Sequence, residues 1–153
     1  MKQTMRAAVS VLAVFFLTAF FFGCGKSAEE SLAEADSLMA SMESQGGTDP
    51  ALAKKAEDCY GRALKKDPKN PRAAYGRGMA RARNRDFQAA LEDFDRAVNL
   101  DPQNPEAYYR RALCRIATAP KDKSAALSDL TRTLELAPTH QGAARMMRLL
   151  SAA

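Results

Sequence analysis

The sequence predicts an all-α fold of stacked antiparallel helix pairs, and three observations predict it. No stretch after residue 26 alternates apolar and polar residues with the period of a half-buried strand. Apolar residues recur at spacings of three and four, as on one face of a helix. A single register also repeats along the chain. Ala56, Tyr60, Ala63 and Pro68 align with Ala90, Phe94, Ala97 and Pro102, and these with Ala126, Leu130, Thr133 and Pro138. The internal spacings are four, three and five in every set. The first two sets lie 34 residues apart and the next two 36 apart, with the extra pair of residues around "TAPKDKS".

The first helix spans 27–45, where Leu32, Ala35, Met39 and Met42 keep the helical spacing and Gly46-Gly47 ends it. Asp49-Pro50 supplies a cap and a helix-starting proline for the second, 50–66. In "DPKNP" and "DPQNP" one proline stops a helix and the other starts the next. The remaining helices are therefore placed at 71–84, 86–100, 105–118, 122–136 and 140–151. Three pairs leave one helix over. The last, "HQGAARMMRLLSAA", has the mixed character of a terminal helix covering the end of a stack.

The register and its small-residue positions carry a family resemblance. "AAYGRGMARARNRDFQAALEDFDRAVNLDPQN" resembles a tetratricopeptide repeat (TPR), a 34-residue helix-turn-helix unit, and "AYYRRALCRIATAPKDKSAALSDLTRTLELAP" resembles a second. "ALAKKAEDCYGRALKKDP" resembles the second half of a third. Ala74 stands where the family has a large aromatic, and Arg77 and Arg81 stand where Leu and Tyr are commoner. The implied architecture is a short TPR solenoid with repeats at about 27–70, 71–104 and 105–138 and a capping helix at 140–151.

Ahead of the repeats, Lys2 and Arg6 precede sixteen residues without charge, Ala7 to Phe22. As a helix this run would reach about 24 Å, short of a hydrocarbon core of about 30 Å. A signal-peptide core fits it better. The run ends in "FFFGCGKS". A phosphate-binding loop would need its first glycine where Phe20 stands, and would follow a strand, so a nucleotide site is not indicated. Gly23-Cys24 instead resembles the lipobox of bacterial lipoproteins, with Phe21 and Phe22 departing from its usual aliphatic and small residues. The resemblance implies a signal peptide at 1–23, an acylated Cys24 that anchors the chain in the membrane, and a short tether at 24–26 leading into the domain at 27–153. The other reading of the same residues is an uncleaved anchor. In a Gram-negative host, Gly25, in place of the aspartate that retains enterobacterial lipoproteins at the inner membrane, points to the outer membrane facing the periplasm.

Without Lys2 and Arg6, the 23 basic residues become 21 against 18 acidic ones, too mild an excess to indicate nucleic acid. No histidine or cysteine cluster has metal-ligand spacing, no catalytic constellation is apparent, and no cofactor is implied. His140 reads as a helix-start residue; Cys59 and Cys114 read as free buried thiols. Arg77 with Asp93, and Arg111 with Asp129 one repeat later, read as surface ion pairs between the helices of each pair, worth about 0–1 kcal/mol each.

In the family, partners bind on the concave side, lined by the first helix of each pair. The resemblance places Arg72, Tyr75, Met79 and Arg83 there from one repeat, and Tyr109, Arg110, Leu113 and Ile116 from the next. Such a groove suits a peptide with apolar anchors and negative charge. Tyr109, Leu113 and Ile116 equally suit packing between repeats. Glu106 and Gly76 stand where the chaperone-binding subgroup uses Lys and Asn to clamp a carboxylate. The expected function is that of a lipid-anchored adaptor in the bacterial envelope, serving pilus, secretion or outer-membrane assembly. The alternatives are an envelope polymer binder acting through its arginines and a divergent envelope enzyme.

Overall fold

The computed structural model describes residues 26–46, 49–121 and 123–152. They form seven helices and no strand: α1 Ala28–Ser44, α2 Pro50–Lys66, α3 Pro71–Arg83, α4 Phe87–Leu100, α5 Pro105–Thr118, α6 Ser124–Leu136 and α7 Gln141–Ser151. The predicted signal peptide, 1–23, and the predicted acylation site Cys24 lie outside the described residues. None of the described helices is long and apolar enough to cross a membrane.

The helix starts follow from local chemistry. Ser27 and Glu30 make a capping box on α1, Ser27 Oγ accepting from Glu30 N at 3.0 Å while Glu30 Oε2 accepts from Ser27 N at 2.9 Å. Asn70 Oδ1 accepts from Ala73 N at 3.0 Å, and Asn104 Oδ1 from Glu106 N at 3.1 Å. The two Asp-Pro-x-Asn-Pro turns therefore use more than their prolines. Their aspartates, Asp67 and Asp101, accept from Lys69 N and Gln103 N, both at 3.1 Å, which fixes the turn before the asparagine caps the next helix. α6 has no such cap: Lys123 precedes it without a side-chain hydrogen bond, and the helix starts later than 122.

Each helix packs on the next, and the members of each pair, α1 with α2, α3 with α4 and α5 with α6, make the fullest contacts. α1 also meets α3, and α3 meets α5, while no two second helices meet to that extent. The layer of first helices is therefore the tighter, inner side of the stack. α7 lies on α6, with Met146, Met147 and Leu150 packed against Ala112, Leu130 and Ala143.

The helices of each pair approach closely over small residues. Gly78 lies against Phe94, and a Cβ on it would stand 2.9 Å from Phe94 Cε1. Ala112 shares a cluster with Leu130, and Ala35 with Tyr60, every one of them buried. Gly76 serves the junction between pairs: a Cβ there would stand 2.4 Å from two Tyr60 ring atoms. Gly61, in α2, has nothing within 4 Å of its would-be Cβ.

Two glycine-to-alanine substitutions should then have opposite effects. Gly61→Ala should raise stability by about 0.5–1 kcal/mol, because alanine loses less backbone entropy in a helix. Gly76→Ala should lower it by about 1–3 kcal/mol through overpacking against the Tyr60 ring. Chemical denaturation of the two variants would show two shifts of the same sign if this packing is wrong.

Candidate functional site

The inner layer contains a cavity of about 340 Å³ between α3 and α5, with α4 beneath it. Met79, Ala82 and Arg83 line it from α3, Phe87 and Phe94 from α4, and Arg110, Leu113 and Cys114 from α5. Its walls are thus apolar and its two charged groups are both guanidinium. Among the eight residues predicted for the groove, Met79, Arg83, Arg110 and Leu113 come together here.

The other four sit elsewhere. Tyr75 is partly buried beside the cavity, its ring 5.8 Å from that of Phe94. Arg72 is paired with Asp36 of α1, which also accepts from the Tyr60 hydroxyl at 2.7 Å. Tyr109 and Ile116 pack against the Ala112–Leu130–Ala143 cluster, between α5 and the end of the stack. Tyr109 reaches its place because Gly142 has no side chain: a Cβ there would be 2.8 Å from the Tyr109 hydroxyl. For Tyr109 and Ile116 the packing role is therefore the one occupied.

Both of the cavity's charges are paired: Arg83 Nη2 donates to Glu43 Oε1 at 2.7 Å, and Arg110 is held on its own helix. Its Nε donates to Glu106 Oε1 at 2.7 Å, one helical turn earlier. Burial works against its charge, but Glu106 and Tyr75 outweigh that and raise its pKa. Glu106 in turn meets His140 Nε2 at 3.0 Å. His140 caps α7, its Nδ1 accepting from Ala143 N at 3.0 Å, so the neutral ring carries its proton on Nε2 and donates to Glu106. The predicted helix-start role of His140 is what the structure shows. Burial pushes the Cys114 thiol up to about 11, against the opposing field of Arg110, so it lines the cavity as a neutral group.

Phe87, Phe94, Ala82 and Cys114 were not among the predicted lining residues. Three residues of α4 did carry a signal: Phe87, Leu91 and Phe94, spaced by four and three, share one side of that helix.

The Arg77–Asp93 and Arg111–Asp129 pairs are a correction. They are not surface pairs: Asp93 is 2% exposed and Asp129 3%. Each carboxylate takes two arginines one helical turn apart. Arg77 Nε and Nη2 meet Asp93 at 2.5 to 3.1 Å, and Arg81 Nη1 meets it at 2.9 Å. Arg111 and Arg115 repeat the arrangement on Asp129 at 2.6 to 2.9 Å. Arg81 and Arg115 also donate to the carbonyls of Ala89 and Ala125 at 3.3 and 3.0 Å. Both units reach the preceding second helix: Arg81 bonds Glu57 at 3.0 Å and Arg111 bonds Asp95 at 2.9 Å. The first pair lacks the unit. Cys59 occupies the place of Asp93 in its register and shares a surface cleft with Glu34 and Leu38.

Residues 53–105 and 77–140 match the family model described as tetratricopeptide repeat. The chain belongs to the tetratricopeptide repeat family. Among solved structures, the first TPR of Spaghetti (RPAP3) bound to the HSP90 peptide SRMEEVD is 30% identical over 78% of this chain and 92% of that one, with a TM-score of 0.66. The first TPR domain of human RPAP3 is 29% identical over 82% and 92%, with a TM-score of 0.69. The TPR2B domain of yeast Sti1, in complex with pHsp70, is 26% identical over 80% and 91%, with a TM-score of 0.63. No curated protein sequence matches the chain. The TPR fold is a scaffold for protein–protein interaction rather than an enzyme framework, and among the described residues no group of three or more His, Cys, Asp or Glu could hold a metal.

The doubly paired aspartates make a quantitative prediction for this TPR domain. Asp93→Ala would strand two partly buried arginines and should cost about 3–5 kcal/mol. Replacing the whole unit with apolar or thiol side chains, Arg77→Leu with Arg81→Leu and Asp93→Cys, should recover much of that loss. A triple variant less stable than Asp93→Ala in a urea melt would overturn this account of the unit.

Proposed function

We propose that the protein is a lipid-anchored TPR adaptor of the bacterial envelope that holds a partner protein by a segment seated in the cavity between α3, α4 and α5. The observation that carries this reading is the cavity's composition: Met79, Phe87, Phe94 and Leu113 offer apolar walls, and beside them stand the guanidinium groups of Arg83 and Arg110, each paired with a glutamate, Glu43 and Glu106. A bulky apolar side chain with an aspartate or glutamate close to it in sequence would satisfy both. Pilus, secretion and outer-membrane assembly are the settings in which a tethered adaptor of this kind would serve.

The HSP90 peptide SRMEEVD, bound by the similar Spaghetti domain, carries clustered acidic residues at its end, and that mode does not carry over intact. Glu106 stands where the chaperone-binding subgroup has a lysine, and it already neutralises Arg110. A terminal carboxylate arriving at Arg110 would meet the carboxylate of Glu106. An internal segment anchored mainly by its apolar residue depends less on that contact, its acidic side chain contributing only at the cavity's edge. The anchor itself rests on the Gly23-Cys24 lipobox, which supports acylation of Cys24, and Gly25 in place of an aspartate supports the outer membrane of a Gram-negative host.

Both halves can be tested in cells. A photo-crosslinking residue in place of Leu113 should trap a defined partner in native membranes, and one in place of Leu149, exposed on α7, should not. Arg83→Glu with Arg110→Glu should cut the Leu113 adduct severalfold by slowing association. Cys24→Ser should leave an uncleaved precursor. Adducts of equal yield from both positions would contradict the cavity as the partner site, and an unmodified Cys24 on mass spectrometry would contradict the anchor.

A further inference from the structure

Four cations gather where the chain enters the domain. Lys26, Arg62, Lys65 and Lys66 line a surface cleft of about 390 Å³ between the start of α1 and the last turns of α2. The cluster is tied together: Lys66 Nζ donates to the Lys26 carbonyl, and Glu34 accepts from Lys26 at 2.8 Å and from Arg62 at 3.0 Å. Among the described residues, Glu34 bridges Lys26 and Arg62. Of the other carboxylates near in the chain, Glu30 lies in the capping box of α1, Asp58 is 3.8 Å from Lys54 and Asp67 holds the turn between α2 and α3, while Glu29 is exposed on the first turn of α1. Lys26, Arg62, Lys65 and Lys66 are all exposed. The TPR interaction surface does not use them, since they lie on the first pair and away from the α3–α5 cavity.

We propose that this cluster is a docking surface for the anionic phospholipid headgroups of the membrane to which the chain is attached. The inference rests on the anchoring reading above. Lys26 is two residues from Cys24, at most about 7 Å of extended chain. That is shorter than the Debye length of about 8–10 Å at physiological ionic strength. A chain held in the bilayer at Cys24 therefore keeps Lys26 inside the region where the surface potential is felt. Arg62, Lys65 and Lys66 share its cleft and face the same potential. A tether so short leaves the domain few orientations, and the favoured one turns the cationic end of the first pair toward the headgroups. Docked in this way, the domain would stand with α7 away from the bilayer and the α3–α5 cavity at its side, open to a partner beside the membrane.

The test uses the intact chain reconstituted into vesicles of phosphatidylethanolamine containing one quarter phosphatidylglycerol, with quencher carried on the headgroups. A fluorophore is attached at Lys69→Cys, next to the cluster, or at Lys121→Cys, in the turn between α5 and α6. Quenching should be stronger at position 69 than at 121. The ratio should collapse in phosphatidylcholine vesicles, and at about 1 M salt, where the Debye length is about 3 Å. Lys65→Glu and Lys66→Glu should each lower the docked-to-undocked ratio by about fivefold or more, the factor corresponding to one cation near an anionic surface. Both side chains are exposed, and unchanged circular dichroism checks that the fold is kept. Inorganic phosphate, with chloride as the ionic-strength control, should not compete. Equal quenching at the two sites, indifference to lipid charge, or competition by phosphate would each overturn the proposal. Flotation separates this failure from that of its premise: a chain that fails to float has lost the anchor and the proposal together, whereas one that floats with a flat quenching ratio has lost only the docking surface.

Discussion

The close crossing of the two helices in each pair is the constraint on which the rest of this structure depends. A small residue of the first helix, Ala35, Gly78 or Ala112, is buried with a large one of the second, Tyr60, Phe94 or Leu130. Where backbones come this close, each large side chain fills the space that a Cβ or a longer chain would otherwise claim. The same three large residues keep one register in the sequence, so the crossing is repeated with little freedom to slide. Gly76 extends the principle to the junction between the first and second pairs, where it admits the Tyr60 ring.

The two buried aspartates add a polar lock to this apolar fit. A carboxylate this deep would be destabilising alone, and each is instead met by two guanidinium groups and kept within reach of water by their partly exposed outer edges. The unit binds α3 to α4 and α5 to α6, and through Glu57 and Asp95 it joins each of these pairs to the one before. Arg77 and Arg81, which depart from the usual TPR residues, are therefore understood as a set with Asp93. With the pairs held on that side, the α3–α5 interface carries a cavity on the side of Met79 and Leu113. The cavity's floor is Phe94, the residue that fixes the crossing.

Much of this was legible in the chain. The seven helices follow from caps that are local in sequence: Ser27, Asp49, Asn70, Asp86, Asn104 and His140 each accept a backbone N–H at a helix start. α6 was the exception because Lys123 cannot accept such a bond, and the boundary moved. The burial of Asp93 and Asp129 was not legible. An ion pair read from spacing has no stated depth, and depth depends on which neighbouring helix covers it. The cavity was half legible for a related reason. A stripe on one helix gives candidates such as Met79 and Leu113, but Phe87, Phe94 and Cys114 join them only when three helices are brought together. Tyr109 and Ile116 share the stripe of Leu113 in sequence, yet both pack against the Ala112–Leu130–Ala143 cluster, and Tyr109 meets the start of α7.

The α3–α5 cavity is proposed to recognise an apolar side chain accompanied by negative charge. Selection from a random peptide library on the immobilised protein tests this directly, whatever the partner is. Phe, Leu, Ile or Met should be enriched within a few positions of Asp or Glu, and the charge preference should reverse toward Lys and Arg when the same library is selected on the Arg83→Glu, Arg110→Glu protein. Enriched peptides with no acidic residue, or ones selected identically by both proteins, would contradict it.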